Sequence, residues 1–223
     1  MSDLREASIE RDTTQLPGGA LGQAGPFLLL AAGALWLGAR WDDLPARLPM
    51  HWNWRGDADR FVPRSPLGVS MPLLLGLALC LLMLVLQLGI RHGAPRTPLR
   101  PFTLRLVLAC EYFCALTCSG VLGAAVTGGR LLVPLLVACA AGTVALLIAT
   151  VVMARKTPRL AVRNPAAWHG GVFYVDRDDP ALLVPKRHGY GYTFNFGNPL
   201  AAAMTAGLLV LPLLLALCAL SAR

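Results

Sequence analysis

Charged side chains are scarce in this sequence, at 14% of 223 residues against about 25% in an ordinary globular chain. That shortage excludes intrinsic disorder, which needs charge and polarity to stay solvated. The six cysteines (Cys80, Cys110, Cys114, Cys118, Cys139, Cys218) contain no C-x-x-C, and all fall inside apolar runs. Zinc knuckle, redox pair and secreted disulfide scaffold are therefore not signalled, and each thiol reads as a small packing residue. No H-E-x-x-H, G-x-S-x-G or Walker-type glycine loop occurs, so no motif calls for a metal or a cofactor. Nucleic acid fits poorly too. The net charge is +8, but the basic residues sit in loops between apolar runs, as membrane orientation would place them.

What the chain has in abundance is apolar surface: 56% hydrophobic residues and a mean hydropathy of +0.58. Five runs, roughly 22–40, 67–90, 102–127, 131–153 and 199–220, reach the length of about 20 residues that crosses a bilayer core. The expected fold is an all-α polytopic membrane protein with about five transmembrane helices. A short ordered outer loop (41–66) and a small cytoplasmic β-rich insert (154–198) complete it. The expected organisation is a cytoplasmic tail over 1–21, a two-span module over 22–90, and two further spans within 91–153. The insert and then a fifth span with the C-terminus, 199–223, follow. Asp3, Glu6, Glu10 and Asp12 precede the first run and no small-residue cleavage site follows it, so it reads as an uncleaved span. With the N-terminus inside, thirteen Lys and Arg fall on the cytoplasmic side and seven outside, which favours that orientation. The expected location is the bacterial inner membrane, and the lipid bilayer is the first partner.

The third run carries Glu111. A charge at a helix centre costs about 3 kcal/mol on insertion scales, and each Leu, Phe or Val returns roughly 0.3–0.6. Nine such residues between 104 and 126 balance the cost, so the span stands. Glu111, Cys114 and Cys118 are spaced to share one helical face. A buried hydrogen-bonded carboxyl, with Gln87 as a candidate partner, and a proton or ligand role both remain open. Small residues four apart, such as Gly120 with Ala124, Ala138 with Gly142 and Ala203 with Gly207, permit close helix packing and an oligomer.

The outer loop reads WDDLPARLPMHWNWRGDADRFVPRSP. Four prolines forbid a long helix. Met50 to Arg55 alternates, with Trp52 and Trp54 on one face and His51, Asn53 and Arg55 on the other; Gly56-Asp57 reads as a turn. The string LP-x-x-LP-x-H-x-N, then Gly56, Asp59 and the basic Arg64 directly ahead of an apolar span, resembles a bacterial membrane family. That family is domain of unknown function 1648, which includes the SdpI-type immunity proteins. The matching residues are Leu44, Pro45, Pro49, His51, Asn53, Gly56 and Asp59, and Arg64 stands where the family commonly has Lys. The resemblance implies an envelope sensing or immunity role. His51, Asn53, Asp57, Asp59 and Arg64 would meet a peptide or small ligand outside, without turnover. The competing expectation is a membrane-embedded enzyme or proton-coupled transporter using Glu111.

The second polar segment, 164–198, places the β-prone runs Val172–Val175 and Ala181–Val184 on either side of Asp176-Arg177-Asp178-Asp179-Pro180. A third run, Tyr192–Phe196, follows. The segment 164–198 holds seven of the chain's sixteen aromatics. With the pattern W-x-GG-x-FY, then DP, VPKR, G-x-G and Asn195, it resembles a small domain of unknown function in which Asp176 is more often Asn. Arg155, Lys156, Arg159 and Arg163 would meet anionic lipid. Lys186, Arg187, Trp168 and Tyr174 would form a cytoplasmic interaction set for a protein partner or a headgroup.

Overall fold

The computed structural model describes residues 16–93, 99–156, 164–188, 191–207 and 210. Four long helices dominate: α1 (Gly19–Ala39), α2 (Pro66–Gly93), α3 (Leu99–Val126) and α4 (Leu132–Lys156). All four are long and apolar enough to cross a membrane, and the chain is a multi-pass membrane protein. Helix resumes over 199–207; the remainder of the expected fifth span, 208–220, lies outside the described residues apart from helical Val210, as do tail residues 1–15. The observed helices match the expected runs to within about three residues at each end.

The chain divides into two compact units. One comprises 18–84 and 108–149. Its core joins Leu30 and Leu37 of α1, Val69, Leu73 and Cys80 of α2, and Ala115, Cys118 and Leu122 of α3 to Leu44 and Leu48 of the polar loop. Helices approach closely where a side chain is missing. A Cβ at Gly25 would lie 1.8 Å from the Tyr112 hydroxyl oxygen, and that hydroxyl donates to the Gly22 carbonyl at 3.0 Å. Gly120 and Gly142, two of the small residues read as packing positions, face Leu135 and Phe113, whereas nothing crowds Gly207. Along α4, no residue from 132 to 152 is buried.

Within this unit the loop forms an antiparallel hairpin of β1 (Arg47–Trp52) and β2 (Ala58–Pro63), entered through a 3-10 turn at Trp41–Asp43. Register shifts flank His51. The alternation expected from Met50 to Arg55 is cut short, because β1 starts earlier and ends at Trp52. Asn53 turns the chain there, accepting at Oδ1 from the Arg55 and Asp57 amides at 2.9 and 3.0 Å. Trp52 consequently ends the strand and Trp54 falls in the turn. Trp52 is half-buried, its Nε1 3.1 Å from where a Cβ on Gly129 would stand; Trp54 is 87% exposed.

The second unit comprises 1–17, 85–107 and 150–223. Its insert holds two two-stranded sheets among the described residues. β3 (Trp168–His169) pairs with β4 (Phe173–Tyr174), and β5 (Leu183–Pro185) pairs with β6 (Tyr192–Phe194). The two runs flanking Asp176–Pro180 do not pair with each other. Gly170 and Gly171, at φ 59° and 73°, let β4 fold back onto β3 instead, since positive φ costs glycine nothing. A parallel bridge between Tyr174 and Asn195 joins the two hairpins.

Candidate functional site

The hairpin is built from the inside outwards. Leu48, fully buried, and Leu44 pack with Trp41, Met50 and Val62 into the core of their unit, so the first LP and second LP of the motif are anchors. Arg64 closes the base. Its Nη1 donates to the carbonyls of Trp41, Asp42 and Leu44 at 3.4, 3.3 and 3.1 Å, while its own amide donates to the Ala46 carbonyl. Three carbonyls converging on one nitrogen suit an ammonium as well as a guanidinium. At the other end Asn53 and Asp57 hold the turn: the Asn53 amide donates to the Asp57 carbonyl at 2.9 Å, and Gly56 takes φ 87°.

Between these fixed ends lies an exposed polar face. The His51 Nδ1 and Asp59 Oδ1 stand 2.5 Å apart across the two strands. The hydrogen bond from His51 is the main reason the Asp59 carboxyl sits below the ordinary carboxylate range. Arg55 stacks over the Trp54 ring, 4.7 Å from its centroid, and Phe61 is 52% exposed. Of the five residues expected outside, the structure thus brings together His51 with Asp59 and Asn53 with Asp57. Arg64 lies apart at the base, its guanidinium engaged by backbone.

Glu111 and Gln87 are both fully buried. The Cys80 thiol approaches the Glu111 backbone carbonyl at 3.7 Å, and Thr117 meets Cys139 at 3.6 Å. No group of three metal-ligating side chains occurs among the described residues.

In the insert, Trp168 and Tyr174 lie inside a small core with Ala167 and Val184, their rings edge to face at 5.3 Å. The Tyr174 hydroxyl donates towards Asp176 and Asp179 at 3.2 and 3.0 Å. Burial first, then those carboxylates, pushes the phenol well above its usual range. Asp176 is held low, chiefly by the Asn164 amide at 2.7 Å. Lys186 and Arg187 are exposed. The sequence reading assigned no role to Asn195, which turns out to be the hub. Fully buried, it donates to the carbonyls of Asp176 and Asp179 and accepts from the amides of Asp176 and Gly197. Two signals mark it in the sequence, its place in the pattern of the small domain and a lone amide between two aromatics at the end of a β-prone run, and neither spells burial.

Residues 28–76 match a domain of unknown function (DUF1648), and residues 177–201 match a family of unknown function (DUF5808). Both resemblances read from the motifs are thereby shown. No curated protein and no solved structure matches the chain.

Proposed function

We propose that this chain is a bacterial inner-membrane protein of the sensing or immunity type. In this reading its N-terminus is cytoplasmic, the β1–β2 hairpin faces outward, and a peptide or small ligand meets the hairpin's exposed face. The observation that carries the proposal is a division of labour in the hairpin. Leu44, Leu48, Asn53 and Arg64 fix its backbone, while the His51–Asp59 pair, Trp54 and Phe61 stay accessible. A preorganised surface with aromatic, acidic and imidazole groups binds at a lower entropic cost than a loose loop. SdpI-type proteins, which the hairpin motif resembles, protect a producer cell from its own secreted peptide toxin, and this chemistry suits such a peptide.

A second reading rests on the full burial of Glu111 in a helix that crosses the membrane, which suits proton-coupled transport or membrane-embedded catalysis. Expression in a toxin-sensitive bacterial host separates the two. Protection that follows protein amount and is lost in His51→Ala/Asp59→Ala, but kept in Glu111→Gln, supports the sensing reading. Turnover or proton-coupled flux abolished by Glu111→Gln and untouched by the hairpin variant overturns it.

A further inference from the structure

The insert is fastened to helix ends by one of its two hairpins. The Leu182 amide donates to the Gly93 carbonyl at the end of α2, at 3.0 Å. Its side chain lies where Cβ atoms on Gly89 and Gly93 would stand, and Leu182 and Leu183 share a core with Ile90, Leu104 and Ala201. β5 and β6 therefore cannot swing away on a tether. They sit where α2 and the helix from 199 end or begin.

The other hairpin points its side chains two ways. Trp168 and Tyr174, paired across β3 and β4, face the insert core; His169 and Phe173, the next pair, do not. At the tip Val172 is 65% exposed and Phe173 55%, and the Phe173 ring meets Phe196 edge to face at 5.7 Å. One basic side chain, His188, stands beside this apolar tip, and Lys186 and Arg187 precede it in the chain. The His188 ring lies 3.7 Å from where a Gly171 Cβ would be, and Lys186, Arg187 and His188 are all exposed. Of the nearby acids, Asp178 is exposed next to the exposed Arg177, and the other two are engaged. Asp179 is buried beneath the Tyr174 hydroxyl, and Asp176 is engaged by Asn164, Tyr174 and the Asp178 amide.

An exposed valine and phenylalanine beside a histidine that two cations precede in the chain, on a domain locked to transmembrane helix ends, is the chemistry of an interfacial anchor. We propose that the β3–β4 tip docks onto the anionic leaflet of the membrane that these helices cross. Val172 and Phe173 enter the headgroup boundary, and Lys186 and Arg187 hold the lipid phosphates. This assignment rests on the multi-pass architecture and is independent of any ligand at the β1–β2 hairpin.

The test places a polarity-sensitive fluorophore at Val172→Cys in a cysteine-free full-length chain, reconstituted in nanodiscs of zwitterionic or anionic lipid. Blue-shifted emission, quenched by shallow spin-labelled lipids in anionic discs, is the expected result. Lys186→Gln with Arg187→Gln should shift the docked-to-undocked ratio read by the quenching about thirtyfold towards undocked, each of the two basic groups near an anionic surface contributing about 1 kcal/mol. A probe at Asp178→Cys reports on water throughout, and unchanged hydrogen-exchange protection around Tyr174 shows that the insert stays folded. A tip that remains open to aqueous iodide in anionic discs overturns the proposal, as does lipid quenching indifferent to the double substitution. Protection seen in native membranes but absent from anionic discs also overturns it, and assigns the tip to a protein partner.

Discussion

Asn195 shows how much one buried amide can organise. Replacing it with Ala strands two amides and two carbonyls that it now satisfies, at about 1–3 kcal/mol for each buried group left unpaired. Partial rehydration reduces the sum, and Asn195→Ala should destabilise the insert by about 2–4 kcal/mol. Asn195→Asp should fare no better, because a carboxylate cannot donate to the Asp176 and Asp179 carbonyls. Hydrogen exchange over 173–198 measures both. Tyr174 adds a pH signature. Its phenol is raised in the folded state above the ordinary 10.0, so its stabilisation is complete below that value and is lost as pH rises through the higher folded one. Tyr174→Phe should unfold with a flatter alkaline limb. Tyr174 and Trp168 were legible as important aromatics, but their burial was not, because aromatics on short strands pack inward or outward with the same spelling.

At the scale of the element, the motif around the β1–β2 hairpin was legible residue by residue as a pattern, though its division of labour was not. Leucines and prolines spell anchors only once the hairpin register is known, and Arg64 reads equally as a ligand group or a staple. Because one nitrogen serves all three carbonyls, Arg64→Lys should leave tryptic cleavage at Arg55 within about twofold. Arg64→Ala should speed it about tenfold, as expected for losing hydrogen bonds from a charged donor. Amide hydrogen exchange over the hairpin reports on acid. Asp59 is lowered in the folded hairpin from its ordinary 3.8. Its contribution is therefore present above that value and lost as pH falls through the lower folded one. Asp59→Asn should erase that acid sensitivity. A local Asx turn at Asn53 also explains the misread strand: alternation continues in the letters through Arg55, but side-chain competition for backbone amides ends the strand at Trp52.

For the whole molecule, apolar run length was enough to locate four helices to within a turn, because in hydrocarbon a helix must satisfy all its own backbone. Sidedness is a separate matter carried by loop charge. If odd and even loops emerge on opposite faces, cysteine labels at Asp57→Cys and Asp178→Cys in a thiol-free background should react from opposite sides of sealed vesicles. Reaction from one side would dismantle the proposed orientation. Helix α4 holds a further consequence. With none of its residues from 132 to 152 fully buried, α4 meets α3 through half-buried contacts such as Leu135 at Gly120 and Cys139 at Thr117, and its own hydrophobicity does most to place it in the bilayer. Helix α3, with Glu111 and several other interior-facing residues buried, is in the opposite position. During synthesis, α4 should therefore partition from the translocon into lipid unaided, whereas α3 should wait at the lateral gate until its neighbours arrive. The order in which the helices leave the ribosome is thus not the order in which they settle.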